Sequence, residues 1–323
     1  MKRNPRLTVC MPVYNNAQFL SAAIESVRNQ DFTDFELLIL DDCSGDESWK
    51  IIRQIAAQDI RVVAVFHDKN LGMVDNWNAC LDRAKGEYIK FLFGDDLLAS
   101  KDALRQMVTA MDDDHGISLV ASARNIIDDS SKIVRFASSF PHGLVMDGAG
   151  IITRCILTQK NLIGEPSVVM FRKSQAVRRF DGRYSQFADL EMWFHLLEQG
   201  KLLFIGEPLA SFRVHAGQQT QKNVRDLVHI EEMFDLIDEY GDKTYVKLSA
   251  LSKRFLRYSL SYRIWKAFKN DIISWDLALA KISRRCSFWK FLVLIPLYKL
   301  TNPFWKLWRR STSRRLLLMI CSV

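Results

Sequence analysis

Five aspartates, in two adjacent pairs and one singleton, stand where this 323-residue chain could do chemistry: Asp41-Asp42, Asp95-Asp96 and Asp189. The pair at 95–96 follows the apolar run Tyr88-Ile89-Lys90-Phe91-Leu92-Phe93 through Gly94, which is expected to turn the backbone tightly. Both carboxylates then emerge at the carboxyl end of a strand, the edge of an open α/β sheet where ligands bind. Neighbouring carboxylates repel unless a cation, a proton or a hydrogen-bonded ligand shares their charge. The economical occupant is a divalent metal that also holds a ligand diphosphate. Taken alone, the pair reads better as a polar turn before the next helix, so its meaning depends on the rest of the chain.

Asp41-Asp42 closes a second apolar run, Phe35 to Leu40, and a first run, Leu7 to Met11, ends in Pro12-Val13-Tyr14-Asn15-Asn16. A dinucleotide-binding turn at that first position needs glycines so that backbone can approach a pyrophosphate. This turn has none, and no G-x-x-x-x-G-K-[ST] loop occurs, so NAD enzymes and P-loop NTPases are disfavoured. A nucleotide site built from side chains remains, with Tyr14 to flank a ring and Asp41 or Asp42 to accept the N–H of a uracil-type base. Asp189 opens the amphipathic segment Leu190 to Leu197, where an acid at a helix start reads first as a cap in a favourable dipole field.

The elements that must position these residues alternate regularly. Strands are expected at Leu7 to Met11, Phe35 to Leu40, Val62 to Phe66 and Tyr88 to Phe93. Helices are expected over about Gln18 to Asn29, through Trp49, Ile52 and Ile55, and over Val74 to Ala84. Ser44 and Glu47 have the spacing of a capping box, and Gly86 that of a helix stop. Four such units with continuous apolar strands imply an α/β fold, a parallel sheet covered by helices on both faces.

Composition is that of an ordinary globular chain, 48% hydrophobic and 25% charged. Six cysteines are scattered without a C-x-x-C or a His/Cys cluster, which points to reduced thiols in the cytoplasm and away from a zinc site or disulfide framework. Met1-Lys2-Arg3-Asn4-Pro5 leads directly into a strand, so no secretory signal is expected. The net charge of +8 is unevenly placed: ten of the 45 Lys and Arg, and none of the 37 Asp and Glu, fall after residue 280. A near-neutral body with a basic tail does not read as a nucleic-acid binder.

Together the motifs resemble family 2 glycosyltransferases of the GT-A fold. The matching pieces are Thr8 to Asn15, Leu38 to Asp46 around Asp41-Asp42-Cys43-Ser44-Gly45-Asp46, Lys69-Asn70-Leu71-Gly72, and Ala84 to Ile89 leading into Gly94-Asp95-Asp96. Ala188 to Trp193 and Phe212-Arg213-Val214-His215 complete the set, over roughly residues 7 to 220. By that resemblance Pro12, Val13, Tyr14, Asn15, Asp41, Asp42, Asn70 and Gly72 would contact base and ribose, with Asp42 preferred for the base. Asp95 would touch ribose or sugar, and Asp96 would ligate Mg2+ or Mn2+ with His215 near the metal or diphosphate. Arg213 would neutralise phosphate, and Asp189 would be the general base of an inverting transfer. Glu165, Glu191 and Trp193 would lie on the acceptor side, Glu191 reading first as a structural hydrogen bond or as orienting Asp189, and the loop of Glu165 reading nearly as well as a simple turn. Two positions depart from the pattern: Phe93 replaces an acid of the metal motif, and Ala188 replaces the Glu that often precedes the base. The histidines at 67, 115, 142, 195 and 229 receive no role.

These readings divide the chain into a GT-A domain, 1–222, and a helical region, 223–323. The first has a nucleotide-sugar half to about residue 100 and an acceptor half beyond it. Helices are expected over Val224 to Tyr240 and Tyr245 to Phe268. From Phe288 aromatic, aliphatic and cationic residues interleave, but the longest apolar run, Phe291 to Tyr298, is far short of the roughly 20 residues of a membrane span. The mixture suits an in-plane helix on an anionic membrane. The expected protein is a metal-dependent, inverting glycosyltransferase at the cytoplasmic face of the cell membrane. It would use a UDP- or dTDP-sugar and an acceptor such as a lipid-linked oligosaccharide of cell-envelope polysaccharide synthesis. The alternatives are a nucleotidyltransferase of related fold and a non-catalytic membrane or nucleic-acid adaptor.

Overall fold

The computed structural model describes residues 4–215, 217, 218, 223 and 226–320, the side chains of 305–320 excepted. The expected helix start at Val224, the boundary at residue 222, Ala216, and the side chains from Lys306 to Arg315 therefore fall outside the described residues.

The chain divides into two units, the first comprising residues 1–148 and 161–218. It is built on a ten-stranded sheet. Strands β1 (Leu7–Val13) and β2 (Phe35–Asp41) are buried at every position, as strands covered on both faces must be. They pair in parallel with each other and with β3 (Val62–Phe66) and β4 (Tyr88–Phe91) in the order β3-β2-β1-β4. Helix α1 (Ala17–Arg28) buries Phe19, Leu20, Ala23, Ile24 and Val27 along one stripe; α2 (Ser48–Ala56) and α3 (Met73–Arg83) complete the three crossovers. Because β1 lies between β2 and β4, the connections leave it in opposite directions, and the crevice opens where their carboxyl ends part.

Beyond β4 the sheet becomes mixed. The short β5 (Leu97–Leu98) and helix α4 (Ala103–Asp113) lead to β6 (Ile117–Ile127), then β7 (Ile133–Ala137) and β8 (Leu144–Asp147). Strand β9 (Val169–Arg172) inserts antiparallel between β4 and β6, and β10 (Lys201–Arg213) runs parallel to β6. Helix α6 (Ala188–Leu197) precedes β10. Phe91 is the last residue of β4, two residues earlier than the apolar run implies.

Residues 149–160 and 219–323 form the second unit. Helix α5 (Gly148–Thr158) reaches into it, and α7 (Val228–Tyr240), α8 (Ala250–Lys269), α9 (Trp275–Ser283) and α10 (Phe288–Ile320) make up the remainder. Ser249 and Ser274 cap α8 and α9 by accepting the backbone N–H three residues on. Inside this unit the Gln159 carboxamide donates to the Leu256 carbonyl and the Ser259 hydroxyl, and Lys281 and Arg285 pair with Glu231 and Asp235. Among the described residues no helix is long and apolar enough to cross a membrane.

Candidate active site

Three loops meet at the carboxyl ends of β1, β2 and β4, and short polar side chains tie them together. Asn15 is left-handed (φ 53°), a conformation Asn tolerates better than other side chains. It donates its N–H to Ser44 Oγ at 2.9 Å and accepts the Gly45 N–H on Oδ1 at 2.9 Å. Asp46 accepts the N–H groups of Ala17 and Ser48, and Ser48 Oγ accepts the Asn16 N–H. Burial would raise the Asp46 carboxyl, but the Ser48 and Ala17 donors win and hold it below the usual range. The expected Ser44/Glu47 capping box is absent: α2 starts at Ser48, Glu47 makes no side-chain cap bond, and the Ser44 hydroxyl faces Asn15.

Gly94 serves this junction differently from the expected tight turn. It is not left-handed; a Cβ on it would lie 3.2 Å from the Asn16 side chain. Its missing side chain lets the end of β4 lie against the β1–α1 turn. Gly86 likewise does not stop α3 by a left-handed cap; a Cβ there would lie 2.3 Å from the Thr8 nitrogen.

The two acidic pairs behave unlike each other. Asp42 clamps the following turn, Oδ1 accepting the Leu71 N–H at 2.7 Å and Oδ2 the Gly72 N–H at 2.9 Å. Asn70 donates to the Asp42 carbonyl at 3.0 Å. Asp41 is fully buried, accepts the Ser44 N–H on Oδ1 at 2.7 Å, and has no partner for Oδ2. Burial pushes its carboxyl up, against the pull of Ser44. The unspent acceptor belongs to Asp41, whereas both oxygens of Asp42, the expected base contact, already accept backbone N–H groups. Tyr14, in the turn after β1, is 53% exposed.

Asp95 and Asp96 diverge in the same way. Asp95 Oδ2 meets His215 Nε2 at 3.0 Å, and both side chains keep some exposure, 16% and 17%. The Asp95 hydrogen bond raises the His215 imidazole above its ordinary value, although burial opposes it. Asp96 turns inward with no exposure, accepting the Arg213 N–H on Oδ1 at 2.9 Å and leaving Oδ2 unpartnered. Burial, followed by the Asp95 charge, lifts its carboxyl well above the usual range. The outward carboxylate is Asp95, so the expected assignment of sugar contact to Asp95 and metal to Asp96 runs against the exposure of the two.

Arg213 is not a free phosphate ligand. It is 1% exposed, with its guanidinium on the Phe19 ring at 4.4 Å and its donors spent on the Asp95 and Asp128 carbonyls and the Ser131 hydroxyl. It bolts the 95–96 turn to the end of β6. Lys90, which the sequence reading passed over, is completely buried. Its ammonium donates to the Phe91 and Ser167 carbonyls, and burial lowers it to about 7 against the opposing pull of Asp96. A lone lysine within an apolar strand was the signal.

Asp189 sits in the first turn of α6, where unpaired N–H groups and the helix dipole favour a carboxylate. Asn161, also unforeseen, donates to Asp189 Oδ2 at 3.1 Å and to the Gly164 carbonyl at 3.1 Å, and accepts the Ile163 and Gly164 N–H groups. The loop it shapes continues through Glu165 to Ser167, whose Oγ accepts the Phe93 N–H at 3.2 Å. One short loop thus runs from the Asp189 carboxylate to the turn bearing Asp95 and Asp96.

Glu165, 30% exposed, pairs with Arg124 at 2.8 Å and stays at the rim of this loop. Glu191 and Trp193 do not. Both are fully buried, Glu191 against Arg178 at 2.6 Å and Trp193 donating its indole N–H to the Gly164 carbonyl at 3.0 Å. Neither offers a surface to an acceptor; they brace α6 and the loop that carries Asn161.

The donors fit a divalent cation of one kind. Among the described residues no three acidic, histidine or cysteine side chains converge on a point. Mg2+ and Mn2+ bound to phosphorylated ligands need only one or two carboxylates, the phosphates supplying the remaining oxygens. The Asp95–His215 pair and the unpartnered Asp96 oxygen meet that requirement.

Comparisons with known proteins agree with this geometry. The family model for Glycosyl transferase family 2 matches residues 8–178, more than half of the chain. A putative teichuronic acid biosynthesis glycosyltransferase, TuaG of Bacillus subtilis, is 27% identical over 65% of this chain and 79% of its own length. Coverage of curated relatives is uneven, falling to 14% of a 39%-identical Sinorhizobium fredii protein. Among solved structures, S. aureus TarS 1-349 in complex with UDP-GlcNAc superposes with a TM-score of 0.65 at 16% identity, covering 96% of this chain and 89% of that one. The mannosyltransferase PcManGT from Pyrobaculum calidifontis, in complex with GDP-Man and Mn2+, gives 0.58 at 16% identity, covering 99% and 87%. The mixed sheet, the crevice at its switch point and the matched motifs lead to one conclusion: this chain belongs to glycosyltransferase family 2 and has the GT-A fold.

Proposed function

We propose that this glycosyltransferase moves a sugar from a UDP- or dTDP-sugar to an acceptor hydroxyl in one inverting displacement. The observation that carries the reading is the linked arrangement of an outward Asp95–His215 pair and a helix-start Asp189, joined through the Asn161–Ser167 loop. In this reading Tyr14 and Asp41 receive the base. Pro12, Val13, Asn15, Asp42, Asn70 and Gly72 shape the pocket around base and ribose. Asp95 and His215, with Asp96 behind them, hold Mg2+ or Mn2+. These residues would hold the cation, which when bound would neutralise charge on the departing diphosphate. Asp189, held by Asn161 and favoured as an anion by the helix dipole, takes the proton of the acceptor hydroxyl.

The names of relatives support an envelope-polysaccharide acceptor: TuaG is assigned to teichuronic acid, and a Campylobacter jejuni protein, 38% identical over 30% of this chain, is a glucosyltransferase acting on a pyrophosphoryl-undecaprenol oligosaccharide. A lipid-linked acceptor and the basic C-terminal region would suit work at the inner face of the cell membrane. Calorimetric titration with UDP tests the donor side. Binding is expected to tighten at least about tenfold when Mn2+ is added and to lose that gain in Asp95→Asn. Equal affinity with and without metal in the native chain contradicts the assignment.

A further inference from the structure

Five large apolar residues of α10 lie exposed at helical spacing: Trp289 at 75%, Val293 at 78%, Leu297 at 56%, Leu300 at 71% and Phe304 at 74%. Steps of four, four, three and four residues put them on one stripe, about 22 Å long at the helical rise. The opposite face is fixed inside the second unit. Phe291 and Tyr298 are buried there, their rings about 5 Å from those of Tyr258 and Tyr262. The Tyr258 hydroxyl also donates to the Phe291 carbonyl at 2.6 Å. The helix therefore cannot roll to hide its stripe. Trp275 packs edge-on to Phe288 behind the helix and helps to fix it there.

We propose that this stripe docks α10 in the plane of an anionic lipid surface. Charge selects that occupant. Arg284, Lys290 and Lys299 are exposed along the same segment, and no Asp or Glu follows Asp276 anywhere in the chain. Apolar side chains interleaved with lysines, on a helix pinned from behind, match an interfacial helix whose face enters the headgroup–acyl boundary. Pro296 and Pro303 lie within the helix and leave the carbonyls four residues earlier without their helical donor, which suits a wet interface better than a hydrocarbon interior. The inference deepens the membrane-face reading above, and it names the face that makes the contact.

The test is cosedimentation of the full chain with vesicles of phosphatidylcholine, with and without phosphatidylglycerol, alongside UDP titration of the same samples. The native chain is expected to bind the phosphatidylglycerol vesicles and to release at high salt. Val293→Asp/Leu297→Asp is expected to lower partitioning at least about tenfold, and Lys290→Gln/Lys299→Gln by about an order of magnitude. Unchanged UDP binding and helicity in both variants identify the loss as one of docking and not of folding. Native partitioning by the Val293→Asp/Leu297→Asp chain would overturn the proposal. So would a native chain that ignores phosphatidylglycerol, or that sediments as a dimer which the same substitutions dissociate. UDP binding without vesicle binding would sink this inference and leave the proposed activity standing.

Discussion

The Asp95 carboxylate reaches outward to His215 while Asp96, one residue on, turns inward to the Arg213 N–H. A single peptide step thus separates an exposed carboxylate from a buried one that anchors the turn through Oδ1 and keeps Oδ2 unpartnered. Arg213 makes this division rigid, since its amide and guanidinium fix Asp96, the Asp95 carbonyl and the 128–131 turn together. Replacing His215 by Gln keeps a polar side chain but removes the imidazole. His215→Gln is expected to raise the Mn2+ concentration for half-maximal transfer about 10- to 100-fold while UDP affinity without metal stays unchanged. Metal titration of transfer activity checks this, and an unaltered Mn2+ requirement would remove His215 from the metal's surroundings.

At the scale of elements, two glycines set how closely β4 approaches β1. A Cβ on Gly86 would meet Thr8 backbone, whereas one on Gly94 would meet the movable Asn16 side chain. Gly86→Ala is therefore expected to cost about 2 kcal/mol or more in urea unfolding, and Gly94→Ala less than about 1 kcal/mol but with weakened UDP binding. The reverse order would show that the β1–β4 spacing is not what these glycines protect. Much of this architecture was legible beforehand: continuous apolar runs marked β1 to β4, and the Phe19–Val27 stripe marked α1. The antiparallel entry of β9 between β4 and β6 was not, because its apolar residues carry no sign of direction. Asn161 was missed for a related reason. Its bond to Asp189 spans 28 residues, and local periodicity says nothing about such pairings. The capping-box pattern at Ser44 and Glu47 failed because a neighbouring loop claimed the hydroxyl first.

The whole molecule combines a sheet-based unit carrying the site with a helical unit carrying most of the excess positive charge. Its acid stability has a definable contributor in Asp59, whose carboxylate takes hydrogen bonds from Arg61 and Arg28 and is held far below the usual range, Arg61 being the largest cause and burial opposing. A depressed carboxyl stabilises the fold above its unfolded value of about 3.9 and loses that contribution as pH falls below it. Asp59→Asn is thus expected to be less stable than the native chain at neutral pH and to lose less further stability between about pH 5 and pH 3. Thermal unfolding across that range checks the slope. The central claim, a GT-A glycosyltransferase that uses Asp189 as base, meets its most direct test in sugar-transfer kinetics with whichever nucleotide-sugar the enzyme accepts. Asp189→Asn is predicted to lower kcat about 10^2- to 10^4-fold with little change in donor KM. Transfer by Asp189→Asn at the native rate would contradict the account.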